Sequence, residues 1–216
     1  MINFIDVGYN NLTKEKSQEM YSLRKKVFKD RLDWEVLCNE NMEFDEYDNS
    51  DTTYLFGIYK GRVICSLRII EIANPNMITG TFSSCFNMEN IPKGNYVESS
   101  RFFVDKERVT TLGCEQNSIT LMLILSLINY CLKSSYEGIL TIVSHAMYII
   151  LKRSGLHLSV VEQGFSESQD KIYLLLVSVD DRNQDVLNMK IHKGVLSPEN
   201  YLKKWPFDIP FQLKQV

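Results

Sequence analysis

Between Tyr96 and Lys106 the chain reads YVESSRFFVDK, which sets a carboxylate, two hydroxyls and a guanidinium among apolar residues with the character of a buried strand. Burying Glu98 and Arg101 costs several kcal/mol per ion unless each is paired, so a fold that keeps both inside is expected to use them. The stretch is therefore the candidate reaction centre. The competing reading is a core ion pair that only ties elements together. Strict alternation puts Glu98, Ser100, Phe102 and Val104 on one face and Val97, Ser99, Arg101 and Phe103 on the other. For Glu98 and Arg101 to share a pocket the strand must bulge near Ser99 and Ser100, and bulges gather beside active sites.

Partners for these charges have to come from elsewhere. Arg68 lies inside an apolar run, Arg62 to Ile72, that pairs with Thr52 to Tyr59 through a Lys60-Gly61 hairpin turn. An arginine there snorkels to an edge or pairs inward with an acid, and Asp45, Asp48 and Glu98 are the available acids. Asp45 and Asp48 belong to DWEVLCNENMEFDEYDNSD, acidic and rich in turn formers. It carries too many large aromatics for disorder and too little periodicity for a helix, and it reads as an ordered lid. The calcium-loop pattern D-x-[DN]-x-[DN]-G is absent from it, so no metal site is expected. Upstream, Thr13 caps a helix running to about Phe28 or Lys29, with Met20, Tyr21, Leu23, Val27 and Phe28 as its buried stripe and Arg24 at the edge of that stripe. Lys25, Lys26, Lys29 and Arg31 make its end basic.

Downstream, a loop is expected after Asp105. Ser118 to Lys133 then reads as a core helix, too short at about 14 apolar-dominated residues for the roughly 20 of a membrane span. Ile139 to Val143 is a buried strand, followed by a helix capped by Ser144 and ended at Ser154-Gly155. Two further strands, Leu156 to Glu162 and Lys171 to Val179, are expected to pair. Beyond Asp180 no period is visible, and the tail is expected to wrap the surface.

At 216 residues, 44% hydrophobic and 24% charged, the chain is expected to be one soluble domain. A net charge of -3 argues against nucleic-acid binding. Five scattered cysteines without a CxxC suit reduced thiols and a cytoplasmic location better than a disulfide framework. The opening MINFIDVGYNNL lacks the basic and apolar regions of a signal peptide.

The element order predicts an α/β (α+β) fold, a three-layer mixed sheet flanked by helices. That order is similar to the acyl-CoA N-acetyltransferases, which hold the CoA pyrophosphate in an R/Q-x-x-G-x-G/A loop at a helix start. Here the corresponding place reads VDKERVTTLGCEQNS, and Gly113 alone does not make that loop. An acyl donor without a nucleotide pyrophosphate is favoured.

Arg24 and Phe28 in LRKKVFKDRLDWEV, Trp34, Asp45 and Asp48 in EFDEYD, Arg68 in CSLR, ESSRFFVD, and TIVSHAM followed by LKRSG together resemble the acyl-homoserine lactone synthases of bacterial quorum sensing, from the N-terminal helix to about Val179. His145 stands where arginine is expected in many relatives. The resemblance implies transfer of an acyl chain from the phosphopantetheine arm of acyl carrier protein to the amine of S-adenosylmethionine. The substrate carboxylate then closes on the γ-carbon and expels methylthioadenosine; no other cofactor is implied.

On that reading Glu98 is the base, with Ser100 and Arg101 catalytic beside it and Ser99 or Ser100 a donor to the oxyanion. Arg24, Arg68, Arg101, Asp45 and Asp48 cradle the zwitterion, and Phe28 and Trp34 offer a face to sulfonium or adenine. Ser99, Ile124, Leu127, Thr141, Val143, Met147, Leu151 and Leu176 would line the acyl chain, and Thr141 resembles the hydroxyl of family members that prefer 3-oxo chains. Lys25, Lys26, Lys152 and Arg153 would dock the acidic carrier. The whole of 1–216 is expected to be one monomeric synthase domain, with about 1–70 serving S-adenosylmethionine and about 96–180 the acyl chain and carrier. The rivals are a CoA-dependent N-acetyltransferase and a non-catalytic sensor of an acylated ligand.

Overall fold

A computed structural model of the chain describes residues 1–113, 116–192 and 201–209. Its centre is an eight-stranded mixed sheet in the order β10-β1-β4-β5-β6-β7-β9-β8. The strands are β1 (Ile2–Gly8), β4 (Thr52–Tyr59), β5 (Arg62–Glu71), β6 (Tyr96–Val104), β7 (Gly138–Ser144), β8 (Leu158–Phe165), β9 (Lys171–Ser178) and β10 (Phe207–Ile209). A separate two-stranded ribbon, β2 (Cys38–Asn39) and β3 (Met42–Glu43), forms part of the acidic lid. The helices are α1 (Lys14–Lys25), α2 (Lys106–Thr111), α3 (Gln116–Lys133), α4 (His145–Arg153) and α5 (Asp181–His192).

The β4–β5 hairpin turns as its sequence demands, with Lys60 at φ 47° and Gly61 at φ 77°, the double positive φ of a tight two-residue turn. Alternation along β4 sends Leu55 to one face and Tyr54 and Phe56 to the other, so the sheet is apolar on both sides. On the first side the all-round apolar α3 packs with α5, burying Leu123, Leu125, Ile128 and Leu187 completely. Each such side chain contributes about 1.5–3 kcal/mol by leaving water. On the second side α1 lays Met20, Leu23, Val27 and Phe28 against Tyr54, Phe56, Val63 and Phe103. The long connection after β5 covers the rest of that side with Ile78 and Phe86, over Leu140, Ile172 and Leu174. These are the three expected layers.

The sheet is split at its centre. Parallel β6 and β7 pair only from Tyr96–Gly138 to Glu98–Leu140 and then separate, although both strands continue. The residues that follow on each strand, Ser99 and Thr141, therefore border a gap in an otherwise continuous sheet.

Three expectations are corrected. The segment after Asp105 is not a loop but α2, capped by the Asp105 carboxylate, which accepts from the Glu107 and Arg108 amides. The tail past Asp180 does not merely wrap the surface: it supplies α5 and then β10, which adds a strand to the β1 edge through Ile2–Ile209, Asn3–Asp208 and Phe4–Phe207. The first helix does not stop as an α-helix near Phe28; after Lys25 it widens into a π-helical segment from Lys26 to Arg31. Among the described residues Cys38, Cys65, Cys85 and Cys131 are free thiols, Cys114 lies outside the described residues, and no helix is long and apolar enough to cross a membrane.

Candidate active site

The required bulge is present and centres on Arg101. The β5–β6 register shifts between Ser66 and Arg68, and Arg101 takes φ 51°, a left-handed backbone that costs a non-glycine residue free energy unless its surroundings hold it. The shift brings Arg101 round to the side on which Glu98 and Ser100 already lie.

The surroundings that hold it are a closed ring of six charges. Arg24 Nε reaches Glu43 Oε2 at 2.5 Å, and Glu43 Oε1 accepts from Arg101 Nε at 2.9 Å. Arg101 Nη2 donates to Asp45 Oδ2 at 2.6 Å, and Asp45 Oδ1 accepts from Arg68 Nη1 at 2.5 Å. Arg68 Nη1 lies 3.3 Å from Asp48 Oδ1, and Asp48 closes the ring on Arg24 through two parallel bonds of 2.7 and 3.0 Å. The arginines come from α1, β5 and β6 and the acids from the lid, so the lid is pinned over the sheet by alternating charges. Ring members are 10% exposed or less as side chains. At that burial each charge depends on its two neighbours.

Asp48 also accepts from Tyr54 Oη at 2.8 Å and from the Asp45 amide at 2.9 Å. Burial would raise its carboxyl, but Arg24 and Arg68 hold it well below the usual carboxylate range. Tyr47 ties the lid to the long connection, with its hydroxyl 3.0 Å from Thr81 Oγ1 and accepting from the Thr81 amide at 3.0 Å. A side chain on Gly80 would collide with that hydroxyl.

Glu98 is the seventh charge and stands outside the ring. It is 1% exposed, paired in register with Ile70 and Leu140, and its carboxylate accepts from Ser100 Oγ at 3.2 Å. Burial pushes its pKa up to about 7; Arg68, the Ser100 hydrogen bond and Arg101 pull the other way, and Asp45 adds to the rise. A group poised there is ionised often enough to take a proton and basic enough to keep it. Arg68 completes the connection through Nε, 3.1 Å from Ser100 Oγ, while its Nη2 is buried without a hydrogen-bond partner among the described residues.

Beside the ring, Phe28 and Trp34 stack at 5.2 Å with planes 8° apart, and Arg101 sits 5.7 Å from the Phe28 ring centroid. Phe28 is buried, whereas Trp34 is 44% exposed, so the pair runs from the cluster to the surface.

The structure thus gathers Arg24, Phe28, Trp34, Asp45, Asp48, Arg68, Glu98, Ser100 and Arg101 at one place. Arg24, expected at the edge of its stripe, is wholly buried, and each of its three nitrogens meets a protein carboxylate. Glu43 was not singled out in the sequence, although it opens the EFDEYD run. It bridges two ring arginines, and the available signal was arithmetic: with Glu98 kept free as the base, Asp45 and Asp48 leave three arginines one acid short.

Ile124, Leu127, Val143 and Leu151 lie together in the α3-side core with Met147 packed against it. Alternation puts Ser99 on that side with Val97, and half-buried Thr141 pairs with Leu175, whose side chain also joins this core. Leu176 is the exception. It belongs to the opposite face, with Leu140 and Leu174, so it does not share a wall with the other seven. Of the docking cations, Lys25 lies 2.9 Å from Asp30, and Lys26 lies 2.7 Å from Glu107 and 3.6 Å from Asp105. Lys152 sits over the Tyr148 ring and Arg153 is exposed at the end of α4. His145 is exposed, with Nδ1 2.9 Å from the Tyr173 hydroxyl.

Residues 8–187 match the family model described as autoinducer synthase. Over 216 residues, all of each chain, the sequence is 52% identical to an acyl-homoserine-lactone synthase of Pectobacterium carotovorum subsp. carotovorum. Among solved structures the fold is similar to BjaI, a CoA-dependent acyl-homoserine lactone synthase seen with SAM and isopentyl-CoA. That match has a TM-score of 0.77 and 20% identity and covers 99% of this chain and 96% of that one. An acyl-CoA N-acyltransferase from Pseudomonas aeruginosa is similar at a TM-score of 0.56 and 12% identity, with 82% and 99% covered, which bears out the acyltransferase fold expected from the element order. The protein therefore belongs to the autoinducer synthase family, the acyl-homoserine-lactone synthases, and is an acyltransferase.

Proposed function

We propose that the chain joins an acyl group, delivered on acyl carrier protein, to S-adenosylmethionine and releases an acyl-homoserine lactone, a quorum-sensing signal, and methylthioadenosine. The observation that carries the reading is the charge balance of the site: six ring charges cancel one another and leave Glu98 as the group whose proton is free to move. The substrate amine is protonated at neutral pH, and Glu98 takes that proton through a water. The freed amine attacks the thioester carbon, the carbon–sulfur bond breaks, and the carrier leaves as its thiol. The carboxylate of the acylated substrate then attacks the γ-carbon, breaking the bond to the sulfonium sulfur and expelling neutral methylthioadenosine.

Arg68 offers its unused Nη2 to the substrate carboxylate, and Phe28 and Trp34 offer an aromatic face to the sulfonium. Residues of about 1–70, together with Arg101, hold S-adenosylmethionine. Those of about 96–180 hold the acyl chain, which enters the core at the gap between β6 and β7. Thr141, the first β7 residue past the last β6 pair, hydrogen-bonds a C3 oxygen, so a 3-oxo chain of short to medium length is preferred.

A carrier donor is favoured over CoA because Gly113 alone does not make a pyrophosphate loop and the Glu107 and Arg108 amides of α2, after the central strand, are taken by the Asp105 carboxylate. Incubating the protein with S-adenosylmethionine and matched acyl carrier protein or acyl-CoA thioesters, while following methylthioadenosine, tests both the reaction and the donor. Faster turnover with the CoA thioester would reverse the donor assignment. Release with neither donor would leave a ligand sensor, and transfer to another amine without methylthioadenosine would mark an N-acetyltransferase.

A further inference from the structure

Ser100 has one proton, and the site fixes where it goes. Arg68 has no acceptor, so its Nε donates to Ser100 Oγ across 3.1 Å. Ser100 Oγ in turn donates to Glu98 Oε2 across 3.2 Å. The arrangement is set by backbone pairing: Arg68 and Ser100 are register partners on β5 and β6, and Ser100 lies two residues from Glu98 on the same face, just before the bulge at Arg101. Glu98's own register partners, Ile70 and Leu140, are apolar, and among the described residues Ser100 is the side chain that hydrogen-bonds it. A hydroxyl committed in this way has no proton left for an oxyanion.

We propose that Ser100 is a positioning residue that relays the charge of Arg68 to Glu98, orienting the carboxylate and holding it in its ionised form, and that it is not the oxyanion donor. The proposal rests on the reading of Glu98 as the base. The charged groups around Glu98 are Arg68 from β5, Arg101 from β6 and Asp45 from the lid, with Arg24, Glu43 and Asp48 behind them in the ring. The two arginines and the Ser100 hydrogen bond favour the carboxylate against its burial, while Asp45 opposes it. Removing the hydroxyl therefore makes Glu98 harder to ionise.

The test is the pH dependence of methylthioadenosine release by the full-length enzyme, read for Ser100→Ala, Ser100→Cys, Ser100→Thr and Glu98→Gln. Ser100→Ala should move the acid limb of the kcat profile alkaline by about one pH unit. Its alkaline plateau should fall by less than about tenfold, the cost of losing the bond that orients the carboxylate, so that the deficit is largest in acid and shrinks as pH rises. Ser100→Cys, a similar volume with a weaker donor, should move the limb in the same direction, and Ser100→Thr should restore it. A loss of about 10²-fold or more that is equal at every pH would make Ser100 an oxyanion donor and overturn the proposal. An unmoved limb would overturn it too. If Glu98→Gln still turns over, the base assignment falls and the relay with it; if Glu98→Gln is inactive while the Ser100 variants leave the limb in place, only the relay falls.

Discussion

Glu43 Oε1 accepts from Arg101 Nε at 2.9 Å, and this bond anchors a side chain whose own backbone sits at φ 51°. The same carboxylate neutralises Arg24 through its other oxygen, so Glu43→Gln leaves two buried guanidinium groups facing an amide and the ring with an excess positive charge. Removing one partner of a buried pair costs about 3–5 kcal/mol. At about 2–4 °C per kcal/mol for a chain of this size, thermal unfolding should occur roughly 10 °C lower. Activity should fall on the order of 10²-fold even at temperatures where the variant is folded, because Arg101 loses its anchor. Calorimetry with a parallel methylthioadenosine assay checks both; a variant with wild-type melting would mean the ring is not what holds the bulge.

Glu98 makes activity and stability oppose each other. Its pKa in the folded protein, about 7, lies above its ordinary 4.5, so between those values the folded state holds a proton that the unfolded state has lost. Stability from this group is full below the ordinary value and is lost as pH rises through about 7, a difference of about 3 kcal/mol. Glu98→Gln, which never ionises, should match wild-type melting in acid. Above neutrality it should melt roughly 6–12 °C higher while releasing no methylthioadenosine. Equal melting of the two proteins across pH would show that Glu98 is not a destabilised buried carboxylate.

Much of this site was legible because its strands obey simple periodicities. The Lys60-Gly61 turn, the alternation in β4 and β5, and the conflict between parity and charge at Arg101 each led to what the structure contains. The elements that escaped notice did so for physical reasons. In α5 the buried face is Asn183, Gln184, Leu187, Asn188 and Ile191, a helical spacing in which most positions are amides, so a search for apolar stripes passes over it. Those amides are buried because they find partners elsewhere: Asn183 Nδ2 donates to the carbonyls of His157 and Ser178, and Gln184 Nε2 to Asn129 Oδ1 on α3. The six-residue α2 is too short to show a period, and the three residues of β10 pair with β1 across nearly the whole chain. Glu43 was hidden in an acidic run whose exposed members, Glu40 and Glu46, look the same in sequence.

Trp34 should matter to substrate binding more than to folding. It is 44% exposed and contacts Phe28 face to face, so Trp34→Ala removes a stacking surface without opening a cavity in the core. An aromatic or cation–π contact of this kind contributes about 0.5–1.5 kcal/mol, which predicts a rise of about 2- to 13-fold in KM for S-adenosylmethionine with little change in melting temperature. An unchanged KM would remove Trp34 from the binding face.

Thr141→Val keeps the shape and β-branching of the residue at the β6–β7 gap and removes its hydroxyl. If that hydroxyl bonds the C3 oxygen, competition between 3-oxo and unsubstituted thioesters of equal length should shift towards the unsubstituted product by about 5- to 20-fold. The wild-type protein should make mainly 3-oxo products, and mass spectrometry finding unsubstituted chains alone from wild type would refute the preference.

The four cations expected to dock the carrier are not equivalent once their partners are known. Lys26 is engaged by Glu107 at 2.7 Å and Asp105 at 3.6 Å, and Lys25 by Asp30 at 2.9 Å, so much of their field is already neutralised. Lys152 and Arg153 stand at the end of α4, where among the described residues Lys152 meets the Tyr148 ring rather than a carboxylate. Reversing the charge of Lys152 and Arg153 together should raise the apparent KM for acyl carrier protein about tenfold at low salt, less at high salt, and leave KM for S-adenosylmethionine unchanged. Reversing Lys26 should instead lower stability modestly, since it would set three acidic groups side by side at the start of α2. If Lys26 proved the more damaging of the two for carrier use, the carrier would have to bind over α1 and α2 rather than α4.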